Sequence, residues 1–198
     1  MIVQTIMRNN LYWERTRLFL CLIILMIICS PINAEKKKKN AYEDDEIYLR
    51  FVYRSPEQIT AFYEGREFPK SAITRITQTC YVTVIIKNKT DDVLWLELDN
   101  WIFEKNKQII KRYKRPYWKK QWEEINLPQA HRSTFGWTLM PDVRDLRPQE
   151  GVGGSIPIPK QTGNFSVTFN FATGSDKKGK MKTVKIPETY CKQDVDEE

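Results

Sequence analysis

Histidine is almost missing from this sequence: His131 is the single one in 198 residues. Any chemistry that relies on a histidine base must use it. Its neighbour Ser133 lies two positions along the same predicted strand, a poor placement for a nucleophile and its base, and no G-x-S-x-G stretch occurs. His131 therefore reads as a strand-end residue making an ordinary hydrogen bond. Cysteine is scarce too, at four. Cys21 and Cys29 lie in the apolar N-terminal stretch, so Cys80, Cys191 and His131 are left, fewer than the four ligands a structural zinc takes. No metal or other cofactor is expected. Glycine numbers 8. The one glycine-rich run, GVGGSIP at 151–157, lacks the Gly-Lys-Ser/Thr ending of a phosphate loop and reads as a flexible turn. Asp91, Asp92 and Asp99 carry oxygen ligands, but in no calcium-loop pattern. A membrane-spanning helix needs about twenty apolar residues, and the uncharged run LFLCLIILMIIC, 18–29, falls short of that.

That run has a different meaning in its setting. Arg8, Arg15 and Arg17 precede it, and Pro31 and the small Ala34 follow, which is the layout of a secretory signal peptide over 1–34. The alternative is an uncleaved signal anchoring the chain in an inner membrane. Ile28 before Cys29 argues against lipidation. Export to the periplasm or beyond follows, and with it an oxidising compartment in which Cys80 and Cys191 form a disulfide. The chain's net charge of +7 makes an anionic partner attractive on electrostatic grounds.

After cleavage, EKKKKNAYEDDE, 35–46, has almost nothing to bury and reads as a disordered charged arm. From 47 to 198 the pattern is that of one mainly β domain. IYLRFVY, 47–53, opens it as a strand. In SPEQITAFYEG, Ser55, Pro56 and Gln58 make a helix start with a capping box, and a short helix over about 55–65 follows. Residues 69–78 add another turn or two. TCYVTVIIKN, 79–88, alternates apolar and polar residues, as does NFSVTFNFA, 164–172. VLWLELDNWIFEK, 93–105, reads as a strand or hairpin, and HRSTFGWTLMP, 131–141, as a strand with Phe135 and Trp137 on one side. In KMKTVKIPETYC, 180–191, Pro187 interrupts a final strand or confines it to an edge. Six or seven short strands with a disulfide across the sequence favour a β-sandwich of immunoglobulin-like type. The run CYVTVIIKNKTDDVLWLEL followed by NWIF resembles the strand–turn–strand centre of small immunoglobulin-like domains exported by bacteria. That resemblance implies the sandwich and carries no activity with it.

The functional question centres on KRYKRPYWKKQW, 111–122. Pro116 starts a helix over about 116–126, and Trp118, Trp122 and Ile125 fall on one stripe, which makes the tryptophans core. Lys111, Arg112, Lys114, Arg115, Lys119 and Lys120 then form a basic surface. Lys119 and Lys120 have Glu123 and Glu124 four residues on as partners. The expected partner is an envelope protein or an anionic lipid or polysaccharide surface. Nucleic acid is not expected in an exported protein, despite the interleaved aromatics. The competing class is a cell-wall hydrolase, for which Glu97 and Asp99 are the nameable acids, roughly 7 Å apart if 93–99 is extended. A third is an assembly chaperone with an open sheet edge. Asn88-Lys89-Thr90 and Asn164-Phe165-Ser166 match the N-glycosylation pattern.

Overall fold

The computed structural model describes residues 40–192; the expected signal peptide, and the arm up to residue 39, lie outside them. Two antiparallel sheets face each other. The first contains β1 (Ala41–Glu43), β2 (Ile47–Val52), β3 (Thr79–Asn88) and β8 (Gly151–Pro159), in the order β1-β2-β3-β8. The second is centred on β9 (Asn164–Thr173). β10 (Lys182–Tyr190) runs along one edge of β9. β4 (Leu94–Glu97) and β5 (Ile102–Lys105) run end to end along the other. β7 (Val143–Leu146) flanks β4, and β6 (Gln108–Ile110) flanks β5. Four helices are present among the described residues: α1 (Pro56–Glu64), α2 (Lys70–Thr77), α3 (Arg115–Glu124) and α4 (Gln129–Thr138).

Strand alternation sorts β3 between two environments. Cys80, Val82, Val84 and Ile86 face the second sheet and join an apolar core with Leu49, Phe51, Leu96, Phe169 and Phe171. Phe51 and Phe169 meet edge to face across the sheets at 6.0 Å. On the other side Tyr81 packs against a second apolar cluster, built from all four helices. β10 is fastened to the first sheet at both ends. At its end, Cys80 and Cys191 form the expected disulfide, Tyr190 stacks on Tyr53 at 4.2 Å, and the Tyr53 and Thr189 hydroxyls meet at 2.9 Å. At its start, Lys182 ion-pairs with Asp44, at 2.7 Å, and with Glu46.

Several expectations need correction. Residues 41–43 of the supposed arm form β1 and pair with β2. The stretch 93–105 is interrupted: Leu98–Asn100 make a 3-10 turn that divides β4 from β5. The supposed flexible turn at 151–157 is inside β8. Pro157 and Pro159 are tolerated there because the odd positions of β8 point their backbone groups to the sheet edge. Ser155 C=O accepts from Met140 N–H, and Pro157 C=O from Tyr113 N–H, so the missing proline N–H groups break no ladder bond. Gly154 is required by contact, since a Cβ there would sit 2.5 Å from the Met140 backbone. Finally, 131–138 is not a strand but most of α4, which starts directly after Pro128, and Leu139 beyond it makes an isolated bridge to Ser155.

The 88–90 glycosylation pattern has a structural role. Asn88 is fully buried. Its Nδ2 donates to the carbonyls of Asp92, Leu146 and Arg147, and its Oδ1 accepts from the backbone and hydroxyl of Thr90. Asn164, by contrast, is exposed at the start of β9.

Candidate functional site: the α3–α4 groove

The tryptophans of α3 behave as the stripe predicts. Trp118 and Trp122 are 2% and 3% exposed, stack on each other at 5.1 Å, and pack on Phe135 of α4 at 4.6 and 5.0 Å. Ile125 is half-buried beside them. Phe135 directs one side of α4 inward, and two residues on, the helical period turns Trp137 outward, where it is 85% exposed. A strand would put Phe135 and Trp137 on one face. The helix sends them to different faces, and this creates the most exposed large apolar side chain among the described residues.

The six basic residues divide into two groups. Arg112 has only 10% of its side chain exposed and bridges Asp99 at 2.7 Å and Asp142 at 2.8 Å. Lys114 joins Asp99 at 2.8 Å, and Arg115 Nε lies 3.3 Å from Asp142. These three cations are thus held by two carboxylates supplied from other parts of the chain. Lys111, Lys119 and Lys120 stay exposed. Lys119 has a loose i, i+4 contact with Glu123 at 3.9 Å, of the kind that contributes a few tenths of a kcal/mol. Glu124 instead binds Arg75 of α2 at 2.8 Å.

Between α3 and α4 runs a groove of about 480 Å³. Arg115, Lys119 and Arg132 line it together with Trp137, and no carboxylate does. Trp118, Trp122 and Phe135 contribute apolar surface. Arg132 is anchored: its Nε donates to Leu127 C=O at 2.6 Å, which holds the turn between the two helices. Sequence reasoning missed Arg132 and Trp137. The available signal was the spacing of Phe135 and Leu139 at i, i+4 after a proline. The groove offers positive charge beside apolar ring surface, with Ser133 and Gln129 also along its lining.

The acids named for hydrolysis occupy a different place. Asp99 lies in the 3-10 turn, where hydrogen bonds from Lys114 and Arg112 hold its carboxyl below the usual range despite the opposing effect of burial. A carboxyl kept ionised in this way does not serve as a general acid near neutral pH. Glu97 accepts from Asn100 at 2.8 Å and pairs with Lys177. His131 sits on α4, not at a strand end, with its ring against Phe68 at 4.7 Å. Its buried Nδ1 has no hydrogen-bond partner among the described residues, so the expected ordinary hydrogen bond is not formed at that nitrogen. Ser133 is two positions along the same helix, where side chains do not face each other. No group of three His, Cys, Asp or Glu residues suited to a metal occurs among the described residues, and none of their helices is long and apolar enough to cross a membrane.

No family model matches the chain, and no curated protein does. Among solved structures it is similar to a candidate lipoprotein, ycdA, of Bacillus subtilis, at 13% identity and a TM-score of 0.41. The likeness covers 75% of this chain and 38% of that one.

Proposed function

We propose that this protein is an exported, non-catalytic interaction module that binds an anionic envelope component through the α3–α4 groove. The observation that carries the reading is Trp137, 85% exposed and beside Lys119 and Arg132 in a groove lined by no carboxylate, with Arg115, which pairs with Asp142, at its side. Exposing an indole forgoes roughly 2 kcal/mol of burial, and such rings beside cations are the usual anchors of binding surfaces. The disulfide supports export, because such bonds persist in oxidising compartments. An immunoglobulin-like sandwich is supported by the strand order. β2, β3 and β8 form one layer and β4/β5, β9 and β10 the other, with β7 at the place of the additional strand of variable-type domains. The bond from Cys80 to the end of β10 departs from the pairing in antibody domains. Hydrolysis through Glu97 and Asp99 gains no support, since each is tied to a lysine.

Polyglutamate, a flexible polyanion of no particular shape, is the first probe. Titrated at low salt, the wild type should bind it, and Lys119→Gln and Trp137→Ala should each bind it more weakly. Binding should weaken further as salt shortens the Debye length to about 8 Å. Equal affinity of the wild type and Lys119→Gln, or no binding by either, overturns the assignment.

A further inference from the structure

The outer face of the first sheet is not fully covered by the helices. Between α1 and the end of α4 it opens as a cleft of about 300 Å³, at the lower end of the sizes typical of small-ligand sites. Trp137 lines this cleft as well as the α3–α4 groove, so the two are neighbours across one indole.

The floor follows from strand alternation. β3 contributes Tyr81, Thr83 and Ile85, and the paired positions of β8 contribute Gly153 and Ser155. Gly153 leaves the space open: an added Cβ would lie 3.4 Å from Ile85 Cγ1 and project over the floor. The lining is mainly apolar, from Ile59, Phe62, Ile85 and Trp137, and its polar side chains are largely hydroxyls paired with one another. Those of Tyr63 and Tyr81 meet at 2.8 Å. Each also reaches Thr138, at 3.0 and 2.7 Å, while Thr138 donates to Phe135 C=O at 2.7 Å. Thr83 and Ser155 meet at 2.8 Å. Arg54 supplies the one charge, and no carboxylate lines the cleft.

This chemistry selects among ligands. With their protons largely committed within the protein, these hydroxyls keep acceptor lone pairs, which match a ligand that brings hydroxyl donors of its own. The negative face of an indole favours the polarised C–H bonds of a flat ring. A sugar ring meets both conditions. An extended peptide would look for a free strand edge, but the β8 edge already bonds to Met140 and Tyr113. We propose that the cleft seats a sugar ring and that the anionic partner is an acidic glycan lying across Trp137. Its acid groups fall in the α3–α4 groove, and for that part the inference rests on the function proposed above.

Isothermal titration of the mature protein with a hyaluronan tetrasaccharide, neutral chitotetraose and polyglutamate separates the two claims. The acidic tetrasaccharide should bind most tightly. Trp137→Ala and Gly153→Val should each weaken it by at least about tenfold, and Gly153→Val should leave polyglutamate binding unchanged. Lys119→Gln should weaken both anionic probes. Thr83→Val, which removes one floor hydroxyl while keeping the side-chain shape, should also weaken the tetrasaccharide and serves if Gly153→Val unfolds on heating. Polyglutamate binding as tightly as the tetrasaccharide, or tetrasaccharide affinity insensitive to changes at Gly153 and Thr83, overturns the glycan assignment and leaves the groove. Binding of no anionic probe overturns both.

Discussion

Replacing Cys80 and Cys191 together by Ala tests how much the fold depends on its covalent tie. The bond joins residues separated by 111 positions, and in the chain-entropy model a loop of that length is worth about 5 kcal/mol at room temperature. For a domain of this size each kcal/mol moves Tm by about 3 °C, so the double variant should melt about 15 °C below the wild type. Cys80 is 3% exposed in the core between the sheets, so a small packing loss adds to this. Thermal scans followed by circular dichroism, with and without a thiol reductant, make the assay. The reductant should bring the wild type down to the variant's Tm and leave the variant where it is. A shift of under about 3 °C would refute the argument, because the contacts at the end of β10 would then be sufficient alone. So would a variant that responds to reductant as the wild type does.

Three further perturbations bear on particular contacts. Burial pushes the Asp44 carboxyl up, but hydrogen bonds from Lys182, Tyr42 and the backbone of Ile47 and Glu46 outweigh it and hold the group at about 2, against an ordinary 3.8. That stabilisation is complete above pH 4 and is lost as pH falls through about 2. It amounts to about 1–2 kcal/mol with solvent screening allowed for, and Asp44→Asn should cost that much at pH 7 and much less at pH 2 in urea titrations. Gly154→Ala should destabilise by about 1–3 kcal/mol, because its methyl would enter the Met140 backbone; an unchanged urea midpoint would contradict this. Lys107→Gly should raise Tm by a degree or two. Asn106 and Lys107 form the two-residue β5–β6 turn at φ of 50° and 63°, where glycine relieves strain.

The sequence displayed most plainly those features that depend on near neighbours. The alternation in 79–88 and 164–172 is the two-sided environment of β3 and β9. The capping box at Ser55 and Gln58 is present, with both reciprocal bonds formed. The disulfide followed from compartment and count. What failed depended on distant partners or on short ambiguous runs. In 131–141 the apolar residues fit a strand period nearly as well as a helical one, and only packing of Phe135 beneath Trp118 and Trp122 decides between them. β8 was hidden because two prolines and three glycines look like a loop until the edge position excuses the prolines. The basic surface was legible as composition, yet its division was not. Asp99 and Asp142, which hold half of it, come from segments 13 to 30 residues away from their partner Arg112.

The burial of Asn88 bears on how this chain can be produced. Its side chain spends every polar atom on the turn beneath it, so an oligosaccharide attached to that amide in a eukaryotic secretory pathway would have nowhere to go once the sheets closed. Nascent chains modified there would be trapped before maturation, whereas a tag at Asn164 would be tolerated on the outside. A bacterial host, or an Asn164-only glycoform recovered from a eukaryotic one, is therefore the route to native material.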